Sequence, residues 1–347
     1  MKTFFLVVVL SIGSGLAVRF YRHRHDTKPA EPVAVTQPVP APTPPEPPPV
    51  APTPTPTPTP TPAPEPPRIA GSTQITDATV QHFAVGPGVI YYCDGHNVVA
   101  QPKSGDSATV VGECEGAFDF VADAQAVFYC DQHHLKRITV GTQGDHAVAD
   151  LDDCIMEALD AKYAYFVVPG FEGVENPGVY RVARTGGTPE RIHATRPKEQ
   201  FMLAVDDDGL WIGAWAAGSI SKLAKTPGAA ARAVVTGQKG IVSFATDSTY
   251  LYWYAENTTE VRRRKKTGGA VEVIGHDVDQ EPVRAADGHV YWFEGKADAD
   301  KRLVHLAPGA KTPDTIASGL RTPSLAVDAE GEYVTELDRP GVFMFKR

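Results

Sequence analysis

Every forty residues or so this chain repeats itself, and a period of that length leaves few architectures open. The clearest copy runs from Ser243 to Ile274, SFATDSTYLYWYAENTTEVRRRKKTGGAVEVI. Phe244 to Thr246 is small and apolar, Asp247-Ser248-Thr249 is a turn, Tyr250 to Tyr254 is aromatic and β-favouring, and Val261 to Lys265 is a third strand after a polar loop. Thr267-Gly268-Gly269 then turns the chain tightly into Val271 to Ile274, because glycine takes positive φ without steric cost. A four-strand meander of this size cannot bury both faces alone, so it needs copies of itself.

The copies are present. The first strand and its turn recur as FAVGPG at Phe83, FVADAQ at Phe120, EALDAK at Glu157, LAVDDD at Leu203, FATDST at Phe244, RAADG at Arg284 and LAVDAE at Leu325. An aromatic second strand follows each, as in Ile90-Tyr91-Tyr92, Leu210-Trp211-Ile212 and Val290-Tyr291-Trp292. Most copies continue with an apolar-x-basic strand and a glycine turn, such as Val179-Tyr180-Arg181 before Gly186-Gly187. The last copy ends after its third strand, Val342 to Phe345, while Arg68 to Ile75 precedes the first and reads as a fourth strand. One N-terminal strand joining three C-terminal ones closes a ring and removes its exposed edges. The expectation is an all-β, seven-bladed β-propeller spanning residues 68–347, with six blades if the weak third repeat is misread.

The combination Asp247-x-x-x-Leu251-Tyr252-Trp253 followed by Val261-x-Arg263-x-x-Lys266-x-Gly268-Gly269 resembles the repeats of bacterial extracytoplasmic β-propeller proteins of the YWTD and NHL types. The first repeat departs from it with Gly86 in place of Asp, and the seventh lacks the second aromatic. The resemblance implies the fold; for function it implies little, since such propellers include scaffolds, receptors, lyases and lactonases.

Ahead of the repeats the composition changes. Met1 to Val18 carries Lys2 and then an apolar run that suits a signal peptide or a short membrane anchor, although Arg19, Arg22 and Arg24 behind it favour retention on the cytoplasmic side. From Pro29 to Pro67 the chain is dominated by Pro, Thr, Ala, Glu and Val, which can form neither a core nor a ladder and reads as a polyproline-II stalk. At roughly 3.1 Å per residue it could reach about 120 Å. The net charge of −9 shows no sign of a basic groove for nucleic acid. The expected location is therefore extracytoplasmic, tethered to the membrane if the N-terminal segment is not cleaved.

The cysteines support export. Cys93 and Cys130 follow the second strands of repeats one and two, while Cys114 and Cys154 lie in the links leaving those repeats. Four cysteines allow three connectivities. Treating the two repeats alike favours Cys93 with Cys114 and Cys130 with Cys154; pairing Cys114 with Cys130 is also local but strands the other two.

No G-x-S-x-G, P-loop, HExxH or EF-hand spacing occurs, so the sequence names no catalytic residue, metal ligand or cofactor. Aligned on the turn Asp, the inner-strand column Phe83, Phe120, Glu157, Leu203, Phe244, Arg284, Leu325 holds two charges, in repeats three and six, almost opposite each other around a ring. In the column before it His82 and Asp119 are polar where Met156, Met202 and Val283 are apolar. First strands surround the channel of a propeller, so His82, Asp119, Glu157 and Arg284 form a candidate polar binding site at its mouth. The blander reading, which the sequence favours, is that the alignment slips by one residue in repeats three and six or that these charges merely face water. The expected function is non-enzymatic binding or scaffolding of an unidentified protein or polar ligand at the loops or channel mouth. The alternatives are a metal-dependent hydrolase or lyase of the lactonase-like type and a purely structural envelope protein.

Overall fold

A computed structural model describes residues 6–8, 19–21 and 69–347, apart from loop positions 81, 115, 116, 118, 132, 152, 153, 171–173, 175, 196–198, 200, 279–281, 296–299, 322, 337 and 338. Residues 6–8 and 19–21 pair as a short antiparallel ladder. The rest of the targeting segment, the stalk and Arg68 lie outside the described residues.

Seven four-stranded antiparallel sheets make the ring, each ordered inner, second, third and outer strand. The inner strands are Phe83–Gly86, Phe120–Ala122, Ile155–Leu159, Phe201–Asp206, Ile241–Thr246, Arg284–Ala286 and Pro323–Val327, for blades 1 to 7 in that order. The chain is a seven-bladed β-propeller, and the third blade is a full sheet of Ile155–Leu159, Tyr163–Val168, Gly178–Ala183 and Glu190–Ala194. Each inner strand packs against the next around the ring, blade 7 meeting blade 1. Blade 7 borrows its outer strand from the other end of the chain, with Thr73 paired to Met344 and Gln74 to Phe343. That pairing leaves the ring no unsatisfied seam.

The aromatic second strands fill the spaces between blades. Trp211, Trp253, Trp292, Phe128 and Phe166 are fully buried there, and each such side chain contributes roughly 2–3 kcal/mol on leaving water. Phe244 of blade 5 approaches Gly213 of blade 4 so closely that a Cβ at that glycine would lie 2.8 Å from its ring.

Where the first strand turns into the second, the Asp side chain organises the turn. Asp247 Oδ1 accepts from the Thr249 and Tyr250 amides, Asp206 Oδ1 from Asp208 and Gly209, Asp160 Oδ1 from Lys162 and Tyr163, and Asp123 Oδ1 from Gln125 and Ala126. Asp206 and Gly209 are turn residues here, as the repeat alignment expects. Blade 6 differs. Asp287 and Gly288 both have positive φ, 53° and 79°, and form a two-residue hairpin turn between Ala286 and His289. Asp287 thus stands inside its turn, where Asp206 precedes a turn of the same length, so counting back from the Asp misplaces the pairing by one residue.

The expected column is corrected by this geometry at both of its charged positions. Arg284 pairs with Tyr291, as Ala204 pairs with Trp211 and Val121 with Phe128, so it belongs one position later than Phe83 and Phe120. Glu157 belongs to no paired position: Met156 pairs with Phe166 and Ala158 with Tyr165, leaving Glu157 as the extra residue of a β-bulge. The alignment thus slips in repeats three and six, and in both cases the odd residue is the charged one.

The turn Asp also bridges blades. Three positions beyond the third-strand residue that pairs with the second strand's core aromatic (Tyr91, Phe128, Tyr165, Trp211, Tyr252, Tyr291 and Tyr333), the chain carries Lys103, Val140, Arg184, Lys225, Lys266, Pro308 and Arg347 in blades 1 to 7. Lys266 Nζ lies 2.5 Å from Asp206 Oδ2 of the blade before it, Lys103 Nζ 2.5 Å from Asp328 Oδ2, Lys225 Nζ 3.1 Å from Asp160 Oδ2, and Arg184 Nη2 2.8 Å from Asp123 Oδ1. Three of these cations also stand over the preceding blade's first aromatic ring, at 5.3 Å for Lys266 and Trp211, 4.9 Å for Lys103 and Tyr333 and 5.4 Å for Arg184 and Phe128. Blade is thereby clamped to blade.

Candidate functional site: the axial chamber

Inner strands run from the channel mouth towards the Asp turns, so residues before or early in these strands share one face of the ring. Cys93 and Cys114 are joined, as are Cys130 and Cys154, on that same face. These are the two equivalent bridges, and both close short loops within their own blades. Disulfides of this kind persist in oxidising compartments, so they point to an extracytoplasmic environment.

Of the four residues singled out at the channel mouth, three are electrostatically coupled. Arg284 lies within electrostatic range of both Asp119 and Glu157, although blade 6 is across the ring from blades 2 and 3. None is hydrogen-bonded to another among the described residues. Arg284 Nε donates to Leu325 O at 3.2 Å and its Nη1 to Val283 O at 3.4 Å, while Glu157 Oε2 accepts the Leu203 amide at 3.2 Å. Glu157 and Arg284 are therefore each braced by the backbone of a neighbouring blade. His82 stands at the start of blade 1 on the same face; burial lowers its pKa, and no contact joins it to the other three.

All three residues are half-buried, yet Asp119 Oδ2 and Glu157 Oε1 are closed off from solvent and have no hydrogen-bond partner. Burial pushes the Asp119 carboxyl up to about 7 against the pull of Arg284. Burial pushes Glu157 up to about 8, with the Asp119 charge adding and the Leu203 amide and Arg284 opposing. Burial lowers the Arg284 pKa while the two carboxylates counteract it. Both carboxyls are thus held towards their protonated forms, with the Arg284 charge opposing the shift.

Sequence reasoning missed two polar neighbours. Ser243 and Ser324 occupy the same column as His82 and Asp119, and Ser243 Oγ accepts the Val283 amide at 2.8 Å, tying blade 5 to the residue before Arg284. The alignment contained both serines. Among the described residues no group of three or more His, Cys, Asp or Glu has the arrangement of a metal site.

No family model matches the sequence, and no curated protein does either. Solved structures do match the ring. Virginiamycin B lyase from Staphylococcus aureus superposes with a TM-score of 0.59 at 10% identity, over 79% of this chain and 97% of that one. YCF48 bound to D1 peptide gives 0.53 at 12% identity, over 78% and 94%. Oligogalacturonate lyase from Vibrio parahaemolyticus gives 0.53 at 13% identity, over 74% and 85%. At such identities the likeness shows the propeller and nothing finer, so the repeat family suggested by the sequence is not resolved beyond the fold. The same ring serves lyases and a peptide-bound protein, and function has to be argued from this chain's own chamber.

Proposed function

We propose that this protein is an extracytoplasmic, non-enzymatic binding propeller whose axial chamber takes a polar ligand rich in hydrogen-bond donors. The observation that carries this reading is the pair of buried, unpartnered carboxyl oxygens, Asp119 Oδ2 and Glu157 Oε1, facing Arg284. A buried polar atom without a partner costs about 1–3 kcal/mol, and a ligand that donates to it recovers that energy. Because the Arg284 guanidinium acts on both carboxyls, the chamber suits neutral hydroxyl or amide donors better than a metal ion, which the guanidinium would repel. That disfavours the metal-dependent hydrolase or lyase reading. The apolar N-terminal run and the proline tract would tether the ring and display it away from a membrane, and the two disulfides agree with such a location.

The test is calorimetric binding of a panel of oligosaccharides and short neutral peptides to the full-length protein, its Arg284→Met variant and its Glu157→Gln variant, with mass spectrometry of the ligand afterwards. A panel member that binds the wild type, is recovered intact and loses affinity in both variants supports the proposal. Conversion of the ligand would make the chamber an active site instead. Binding indifferent to both substitutions would leave the chamber charges a structural feature.

A further inference from the structure

Five of the seven junctions between blades carry a cation from the following blade, one lacks both charged partners, and one keeps the acid without the cation. Four turn aspartates, Asp123, Asp160, Asp206 and Asp328, receive a Lys or Arg from the following blade. Between blades 6 and 7, Arg347 stands over the Tyr291 ring at 5.2 Å, pairs with Glu332 at 2.8 Å and feels the charge of Asp287. Between blades 1 and 2 both partners are missing together, Gly86 replacing the acid and Val140 the base. Between blades 5 and 6 the acid remains and the base does not: Asp247 is in place, and the position that holds Lys225 in blade 4 and Lys266 in blade 5 is Pro308.

A cavity of about 600 Å³ opens at that junction, lined among others by Asp247, Tyr250, Tyr252, Arg263, Asp287 and Pro308. Its acceptor side is ready-made. Asp247 Oδ2 accepts the Tyr252 hydroxyl at 2.7 Å, as Asp206 Oδ2 accepts the Trp211 indole N–H at 2.7 Å and Asp160 Oδ2 the Tyr165 hydroxyl at 2.7 Å. At those two equivalent places the same carboxyl oxygen additionally holds a lysine, Lys266 and Lys225. Arg263 does not take the role. Its Nε is committed to Glu272 Oε2 at 2.8 Å and its guanidinium lies 4.8 Å over the Tyr250 ring. Blade 3 shows the same arrangement, Arg181 bonded to Glu190 and lying over Tyr163, and Lys225 still occupies Asp160 beside it. An arginine in this place is therefore compatible with a second cation on the turn aspartate.

We propose that the cavity between blades 5 and 6 binds an alkylammonium or guanidinium group, seated on Asp247 and the Tyr252 ring as the protein's own lysines are seated at neighbouring junctions. The group can arrive on a basic side chain of a partner polypeptide or on a free amine such as a polyamine. The site opens on the face of the Asp turns, at the opposite end of the inner strands from the axial chamber, and does not depend on what the chamber binds.

The probes are Nα-acetyl-lysine methylamide for the side chain, spermidine for the free amine and Nα-acetyl-norleucine methylamide as the uncharged match, titrated into the full-length protein and followed by NMR or calorimetry. The lysine derivative or spermidine should bind saturably and more weakly as salt rises, and the norleucine derivative should not. Preference for one of the two amines identifies the source. Asp247→Asn keeps the turn acceptor but removes the charge, and it should weaken amine binding about tenfold or more. Pro308→Lys supplies the missing cation from within and should abolish binding through occupancy, giving a second readout if Asp247→Asn folds poorly. Arg284→Met should leave amine binding unchanged. Equal binding of the norleucine derivative, absence of amine binding, or amine binding that survives Pro308→Lys in a folded protein would each overturn the proposal.

Discussion

Charge is used in opposite ways at the rim of the blades and at the axis. At the rim it is repetitive and paired: Lys266 and Asp206, Lys225 and Asp160, Lys103 and Asp328 are copies of one device, each in direct contact. At the axis it is singular and unpaired: Asp119, Glu157 and Arg284 occur in three different blades, interact through space, and leave two carboxyl oxygens unsatisfied. Their protonation follows suit. Burial alone would raise the Asp206 pKa, but Lys266, Trp211 and Thr246 together hold it below the usual carboxylate range, whereas nothing comparable rescues Asp119 or Glu157. A repeated contact binds the ring together; an unrepeated, incomplete one is where a ligand has something to add.

The largest expected effect comes from breaking a rim clamp. Lys266→Met would strand Asp206 in a mostly buried setting and should cost on the order of 3 kcal/mol, read as a fall in the denaturant midpoint at unchanged slope. Undiminished stability would mean that the clamps only decorate packing already made by the aromatic strands.

The two regions should next separate by pH. Asp123, Asp160 and Asp206 have lowered folded-state pKa values, so their contribution is present above the unfolded carboxylate pKa and is lost as pH falls through the lower folded values. Asp119 and Glu157 are raised, to about 7 and about 8, so the folded state holds protons that the unfolded chain releases near pH 4. Their share of stability should be greatest below about pH 4 and decline as pH rises to about 8. Asp119→Asn with Glu157→Gln should flatten the thermal midpoint across that interval and leave the acid limb intact. Arg284→Met should carry the decline to higher pH, because it removes the charge that opposes both shifts.

The smallest effect is expected where the rim device is incomplete. Pro308→Lys would finish the clamp on Asp247, but an accessible pair gains only about 0.5 kcal/mol and loses the rigidity of proline, so the melting temperature should hardly move. Its consequence should be confined to amine binding.

Much of this was legible in the residues. The seven repeats, the closing strand and the equivalence of the two cysteine pairs follow from periodicity, because strand alternation, turn chemistry and ring closure are all local or near-local demands. The candidate site was half legible. Aligning on the turn aspartate drew attention to Asp119, Glu157 and Arg284, but placed the last two in a column they do not occupy. The bulge at Glu157 and the placing of Asp287 inside its turn are one-residue changes that leave the sequence pattern looking regular while shifting the strand positions counted from it.

The sequence by itself determined the kind of molecule: a repeating meander has no stable form except as a closed ring, and its turn aspartates and second-strand aromatics are specified within each repeat. Only the tertiary structure decided which charges meet. Arg284 is more than a hundred residues from Asp119 and Glu157 in sequence yet shares their electrostatic field, and Asp247 lies opposite Pro308 because a propeller sets each blade's turn against the next blade's third strand. Proximity across a closed ring depends on blade number and register together, and neither is a property of any single repeat.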